Sequence, residues 1–132
     1  MPIVIDTTVI IACVMNEPHR DILLDLTADQ ELVAPASLPW EIGNAFSSMF
    51  KQRRISVNEA VGALELYRQM LVRLVDVDLE ATIRLSDRLH IYAYDAYMIQ
   101  CALESDGQLL TLDRGLKTAA RAAGIILTEV RP

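Results

Sequence analysis

Ile3-Val4-Ile5-Asp6-Thr7-Thr8 contains the change of pattern that decides the fold. Three β-branched aliphatic residues in a row read as a short strand. The acid and two threonines that follow end the run and offer a helix N-cap, because a side-chain oxygen there accepts from the first free backbone N–H groups. Further aliphatic runs stand at residues 31–34, 74–77, 109–112 and 125–130, with helical patterns in most of the gaps. Strands that alternate with helices favour parallel pairing, since parallel neighbours need a crossover. The expected fold is a three-layer α/β/α sandwich around a mainly parallel sheet of about five strands.

Several helix boundaries are written in the chain. Ser56 and Glu59 suit a capping box for a helix running towards Leu71. Pro39 suits a first helical turn. After it, Ile42, Ala45, Phe46, Met49 and Phe50 recur at helical spacing, so one face of residues 39–53 should pack on the sheet. Gly107 and Gly124 are expected helix stops ahead of strands, because glycine accepts a left-handed cap without strain.

A chain of 132 residues that is 52% hydrophobic can bury one core but not two, so residues 1–132 are expected to form a single domain. It shows no internal repeat, linker or low-complexity stretch. No apolar stretch reaches the ~20 residues of a bilayer crossing, and the N-terminus carries no signal-peptide pattern. A cytoplasmic protein without a membrane segment is the expectation. Cys13 and Cys101 lie in apolar runs outside any zinc or redox motif, which makes buried free thiols the expected reading. Twelve basic against eighteen acidic residues give a net charge of −6, an adverse balance for a simple polynucleotide binder. Two bound divalent cations would bring it to about −2. The remaining field would then depend on Lys51, Arg53, Arg54, Arg68 and Arg73.

Four acids attract attention by position. Asp6 and Asp113 follow strands, and ligands of open α/β sheets collect outside the carboxyl ends of strands. Asp95 shares a helix face with Met98, Ile99 and Ala102, where an ionised carboxylate is costly unless it is paired or hydrogen-bonded. Glu41 lies beside the apolar stripe of its helix and begins a polar line through Asn44 and Ser48. Magnesium and manganese prefer such oxygen ligands, and two ions about 4 Å apart can activate water and stabilise the leaving oxygen of a phosphodiester.

Each acid also has a bland reading. Asp6 and Asp113 are good N-caps in any case, Glu41 suits a solvated helix surface, and Asp95 suits an ion pair with Arg84 or Arg88. Asp76, Asp78, Asp87 and Asp106 have no strand-end or core-face argument and are expected to tolerate substitution. Lys51, Arg53 and Arg54 read as a solvated helix end, and Tyr92, Tyr94 and Tyr97 as packing residues. Trp40 is read as structural or as part of an interface. His19 and His90 have no motif around them.

Taken together, Ile5-Asp6-Thr7-Thr8, Pro39-Trp40-Glu41-Ile42-Gly43-Asn44, Tyr94-Asp95-Ala96-Tyr97 and Leu110-Thr111-Leu112-Asp113-Arg114-Gly115-Leu116 resemble the PIN-domain nucleases. More narrowly, they resemble the VapC-type toxins of toxin–antitoxin pairs. The resemblance spans nearly the whole chain and rests on the order and spacing of the pieces. It implies an endoribonuclease dependent on Mg²⁺ or Mn²⁺ that cuts an RNA substrate, and a homodimer inhibited by a cognate antitoxin protein. It also implies that Asp6, Glu41, Asp95 and Asp113 are the catalytic metal ligands. Thr7 and Thr111 match supporting hydroxyl positions. Asn44, one turn after Glu41, is placed to orient it or a water, and Arg114 is a weak candidate for phosphate contact. Residues 89–93 depart from the family pattern, being bulkier than the small, glycine-containing approach it implies.

Two other classes compete. One is a non-catalytic interaction domain whose acids bind a cation or a basic partner. The other is a phosphotransferase with Asp6 as nucleophile, which suits Asp-Thr-Thr after a first strand but lacks a second Asp two residues on. It also lacks an evident lysine near the last acid.

Overall fold

A computed structural model describes residues 1–131. Four strands, β1 (Ile3–Ile5), β2 (Leu32–Pro35), β3 (Arg73–Val75) and β4 (Gln108–Leu110), form one sheet in the order β3-β2-β1-β4. All neighbours are parallel, with Val4 opposite Val33 on one side and Leu109 on the other. β1 is buried at every residue, as expected of a central strand covered on both faces. The helices α1 (Thr7–Val14), α2 (Arg20–Thr27), α3 (Leu38–Lys51) and α4 (Val57–Gln69) precede β3, while α5 (Leu79–Leu89), α6 (Ala93–Ser105) and α7 (Arg114–Ala122) flank β4. α1 packs with α2, α3 and α4, whereas α6 lies on β1, β2 and β4 and packs against α5. The architecture is the expected three-layer α/β/α sandwich.

Local signals act where the sequence placed them. Ser56 accepts from the Glu59 N–H and Glu59 accepts from the Ser56 N–H, completing the capping box of α4. Asp6 caps α1 by accepting from the Val9 N–H, and Asp113 caps α7 by accepting from the Leu116 N–H. Cys13 and Cys101 are buried free thiols, and burial pushes the Cys101 pKa up to about 12.

Two expectations are corrected. The segment expected as a fifth strand runs alongside β4, with Leu109 and Thr128 donating to Ile126 and Leu109, but it forms only one parallel bridge, at Leu127. Gly107 is not a left-handed stop. Asp106 takes that conformation at φ 52°, while Gly107 sits where a Cβ would come within 2.8 Å of the Pro2 carbonyl oxygen. Gly124, at φ +81°, is the left-handed stop expected of it.

Candidate active site

The strand order creates the site. From β1 the chain moves outward to β2 and β3, yet β4 lies on the other side of β1, so the connection reverses direction between β1 and β4. A crevice opens at the carboxyl ends of strands at such a switch point. Asp6 leaves β1 there, and Thr111 and Asp113 follow β4, the adjacent strand. Glu41 lies in the first turn of α3, just after β2, and Asp95 in the first turn of α6, which packs on β1 and β2.

Asp6 is the fixed point of the group. It is 5% exposed, and both its oxygens accept hydrogen bonds. Oδ1 receives the Thr8 hydroxyl at 2.6 Å and the Val9 N–H at 3.2 Å, while Oδ2 receives the Thr111 hydroxyl. The direction of these bonds is set from behind. Thr8 accepts from the Leu112 N–H and Thr111 from the Asp113 N–H, each at 3.0 Å, so the hydroxyl protons are free to point at Asp6. Two backbone amides after β4 thereby align an acid on β1.

The other acids are less enclosed. Glu41 accepts from the Ser37 hydroxyl at 3.0 Å, and Asp113 is exposed at its cap. Burial pushes the Glu41 pKa up to about 7, with the Ser37 bond opposing it and the charges of Asp6 and Asp95 adding to it. Burial, and then the charge of Asp113, raises Asp95. Burial also raises Asp6 against its three hydrogen bonds, with Asp113 again adding. The four carboxylates are therefore one electrostatic group. None of them enters an ion pair among the described residues. Arg84 pairs with Glu80 instead, and no pairing of Asp95 with Arg84 or Arg88 forms, which removes the ion-pair reading of Asp95.

The remaining candidates sort by contact. Thr111 bridges Asp113 and Asp6, as above. The Thr7 hydroxyl is buried without a hydrogen-bond partner, in a cavity of about 290 Å³ shared with Thr8, Glu17 and Ala45. Asn44 and Arg114 are exposed at the rim. Lys51 lies a full helix length from Glu41, about 15 Å at the usual rise, so the basic cluster belongs to the far end of α3. Thr8 and Ser37 were not singled out in the sequence. Their signals are Thr8 two residues past a capping Asp, and Ser37 four before Glu41.

As a donor set, four carboxylates fit a hard divalent cation, which takes oxygen ligands and leaves room for water. Electrostatic coupling is not yet coordination geometry: among the described residues no three His, Cys, Asp or Glu side chains converge to hold an ion. Oδ1 of Asp6 and Oδ2 of Asp113 are engaged as caps.

A parallel sheet with acids gathered at its switch point defines an α/β fold with a ligand-binding crevice there, and the comparisons narrow it. The PIN domain family model matches residues 3–122, and the chain belongs to that family. Among solved structures, PAE2754 from Pyrobaculum aerophilum is similar at 20% identity and a TM-score of 0.75, covering 96% of this chain and 83% of that one. Mycobacterium tuberculosis VapC20, described as a sarcin-ricin loop cleaving toxin, is similar at 19% identity and a TM-score of 0.67, covering 98% and 99%. VapBC2 from Rickettsia felis, solved with a fragment of its promoter DNA, is similar at 14% identity and a TM-score of 0.70, covering 97% and 98%. No curated protein matches by sequence.

Proposed function

We propose that the chain is a Mg²⁺- or Mn²⁺-dependent endoribonuclease and the toxin of a toxin–antitoxin pair, with Asp6, Glu41, Asp95 and Asp113 holding the cation. The observation that carries this reading is that Asp6, Glu41 and Asp95 are drawn in from solvent beside the cap of Asp113 at the carboxyl ends of β1 and β4, with no ion pair among the described residues to balance them. Like charges brought together at a cost in stability are a hallmark of functional sites. A cation bound there supplies the positive charge that activates water and stabilises the leaving oxygen of an RNA phosphodiester. Asp6, held by two threonine hydroxyls, presents a fixed carboxylate. With its pKa raised to about 7, Glu41 is partly protonated near neutral pH, so cation uptake releases that fraction of a proton. Asn44 and Arg114, both exposed, are proposed to meet water or phosphate at the rim, and the buried Thr7 hydroxyl to support the site.

The antitoxin is supported by the fold shared with the VapBC pair and by a groove of about 460 Å³ between α2 and α4 that mixes apolar side chains with Arg20, Asp29, Gln30 and Gln69. Leu24, Leu66, Met70 and Leu71 line it, and Leu71 is 83% exposed. The homodimer is proposed from the family resemblance. No helix among the described residues is long and apolar enough to cross a membrane.

The test is cleavage of mixed-sequence single-stranded RNA in Mn²⁺ and in EDTA, by the wild type and by folded Asp6→Asn and Asp95→Asn variants. Cutting by the wild type in Mn²⁺ alone, lost in both variants, is expected. A wild type that neither cuts RNA nor binds Mn²⁺ would return the chain to the interaction-domain reading.

A further inference from the structure

A second cavity opens at the same edge of the sheet, beyond β2 and β3. It measures about 260 Å³ and is lined by Pro35, Trp40, Asp76, Val77, Leu79 and Tyr97. Trp40 comes from α3 and Tyr97 from α6, so two helices each bring an aromatic ring to one hollow. The Tyr97 ring is packed on Tyr94 with centroids 6.4 Å apart, while Trp40 is 70% exposed. The only charged lining group is the Asp76 carboxylate, which enters none of the ion pairs among the described residues. No Lys, Arg or His among the described residues lines the cavity, so it is unsuited to a phosphate.

The hollow adjoins Glu41 through Ser37. Ser37 also lines it and donates to Glu41 at 3.0 Å, and Trp40 immediately precedes Glu41 in α3. We propose that this cavity is a subsite for one unpaired guanine of the RNA substrate, stacked on Trp40 and Tyr97 and read by the Asp76 carboxylate. This rests on the ribonuclease reading above and names part of its substrate.

Three physical points select that ligand. Stacking binds a base without charge, which suits a chain of net charge −6. An acceptor-only carboxylate needs donors, and guanine presents two adjacent ones, N1–H and the N2 amino group, on its Watson–Crick edge. Adenine and cytosine set a bare ring nitrogen beside their amino group, and uracil flanks its N–H with carbonyl oxygens, so each of the three turns at least one acceptor towards Asp76. A base held by its Watson–Crick edge is also unpaired, which points to a single-stranded or looped substrate. Asp76 thus leaves the group of acids expected to tolerate substitution.

Trp40 is the sole tryptophan, so its fluorescence reports on this cavity alone. The full-length protein is titrated in EDTA with guanosine, inosine, adenosine, cytidine and uridine, with excitation at the red edge of the indole band. Guanosine should change the emission at the lowest concentration. Inosine, which lacks the N2 amino group, should bind roughly tenfold more weakly. Asp76→Asn, checked for folding by circular dichroism, should lose the preference for guanosine over inosine. Equal responses to all nucleosides overturn the assignment. So does emission that changes with protein concentration alone, which means that a second copy covers the hollow, or a stronger response to an arginine-containing peptide than to guanosine. Because no metal or cleavage is involved, a silent titration with intact RNA cutting sinks the subsite only, and a guanosine response without cutting sinks the ribonuclease reading only.

Discussion

Among single residues, Glu41 carries a consequence for pH. Burial first, and then Asp6 and Asp95, raise its pKa from 4.5 to about 7. Between those values the folded chain keeps a proton that the unfolded chain releases. The contribution of Glu41 to stability is therefore fully present below pH 4.5 and is lost as pH rises through about 7. Discounted for the partial exposure of Glu41, that contribution is about 1–2 kcal/mol. Urea unfolding in EDTA at pH 5 and pH 8 should show the decline, and Glu41→Gln should lessen it; Asp6 and Asp95, raised in the same direction, keep it from vanishing. An equal decline in the variant would contradict the burial argument. Thr8 makes a second test. Thr8→Val leaves the Leu112 N–H unpaired and removes a donor from Asp6, at a cost of about 2 kcal/mol, whereas Thr8→Ser should restore both stability and Mn²⁺ affinity. Asp6 and Asp113 were legible because an acid after a strand is a local pattern. Thr8 was not, because the group it serves beyond Asp6 lies 104 positions away.

Among the helices and strands, caps and stops separate into those read from spacing and those that needed a neighbour. The α4 capping box and the Gly124 stop depend on residues close in sequence and were visible there. Gly107 was misread because the reason for glycine is the Pro2 carbonyl just before β1, not its own φ. Gly107→Ala should therefore cost about 1–3 kcal/mol by overpacking, seen as a lower melting temperature. Gly124→Ala has open space around it and should cost about 1 kcal/mol through its positive φ alone. Equal losses at the two glycines would mean that the close approach of Pro2 is not what constrains Gly107. The bulky stretch at residues 89–93 has a conformational counterpart: His90 caps α5 in the left-handed region at φ 54°, a place that suits glycine. The last aliphatic run had the composition of a strand but settled for one bridge, since pairing depends on how the edge of β4 presents itself.

Across the whole molecule, the acids form a charge-dense end that a divalent cation should stabilise by mass action. Mn²⁺ at a hundred times its dissociation constant is expected to add about 2.7 kcal/mol to unfolding, with the melting temperature still rising at higher concentration. Asp6→Asn and Asp95→Asn should show little of this. A shift of the same size in both variants would place the cation elsewhere. The layer order and the N-caps at Asp6, Ser56 and Asp113 follow from the amino-acid order alone, because strand period, helix period and capping chemistry act over a few residues. The folded chain was needed to show that β4 lies beside β1, that two threonines align Asp6, and that Asp95 has no partner among the ion pairs of the described residues. It was needed also to bring Trp40, Tyr97 and Asp76 to one hollow. These are contacts between segments far apart in the chain, set by strand order and by the packing of helices on the sheet, and no short-range pattern encodes them.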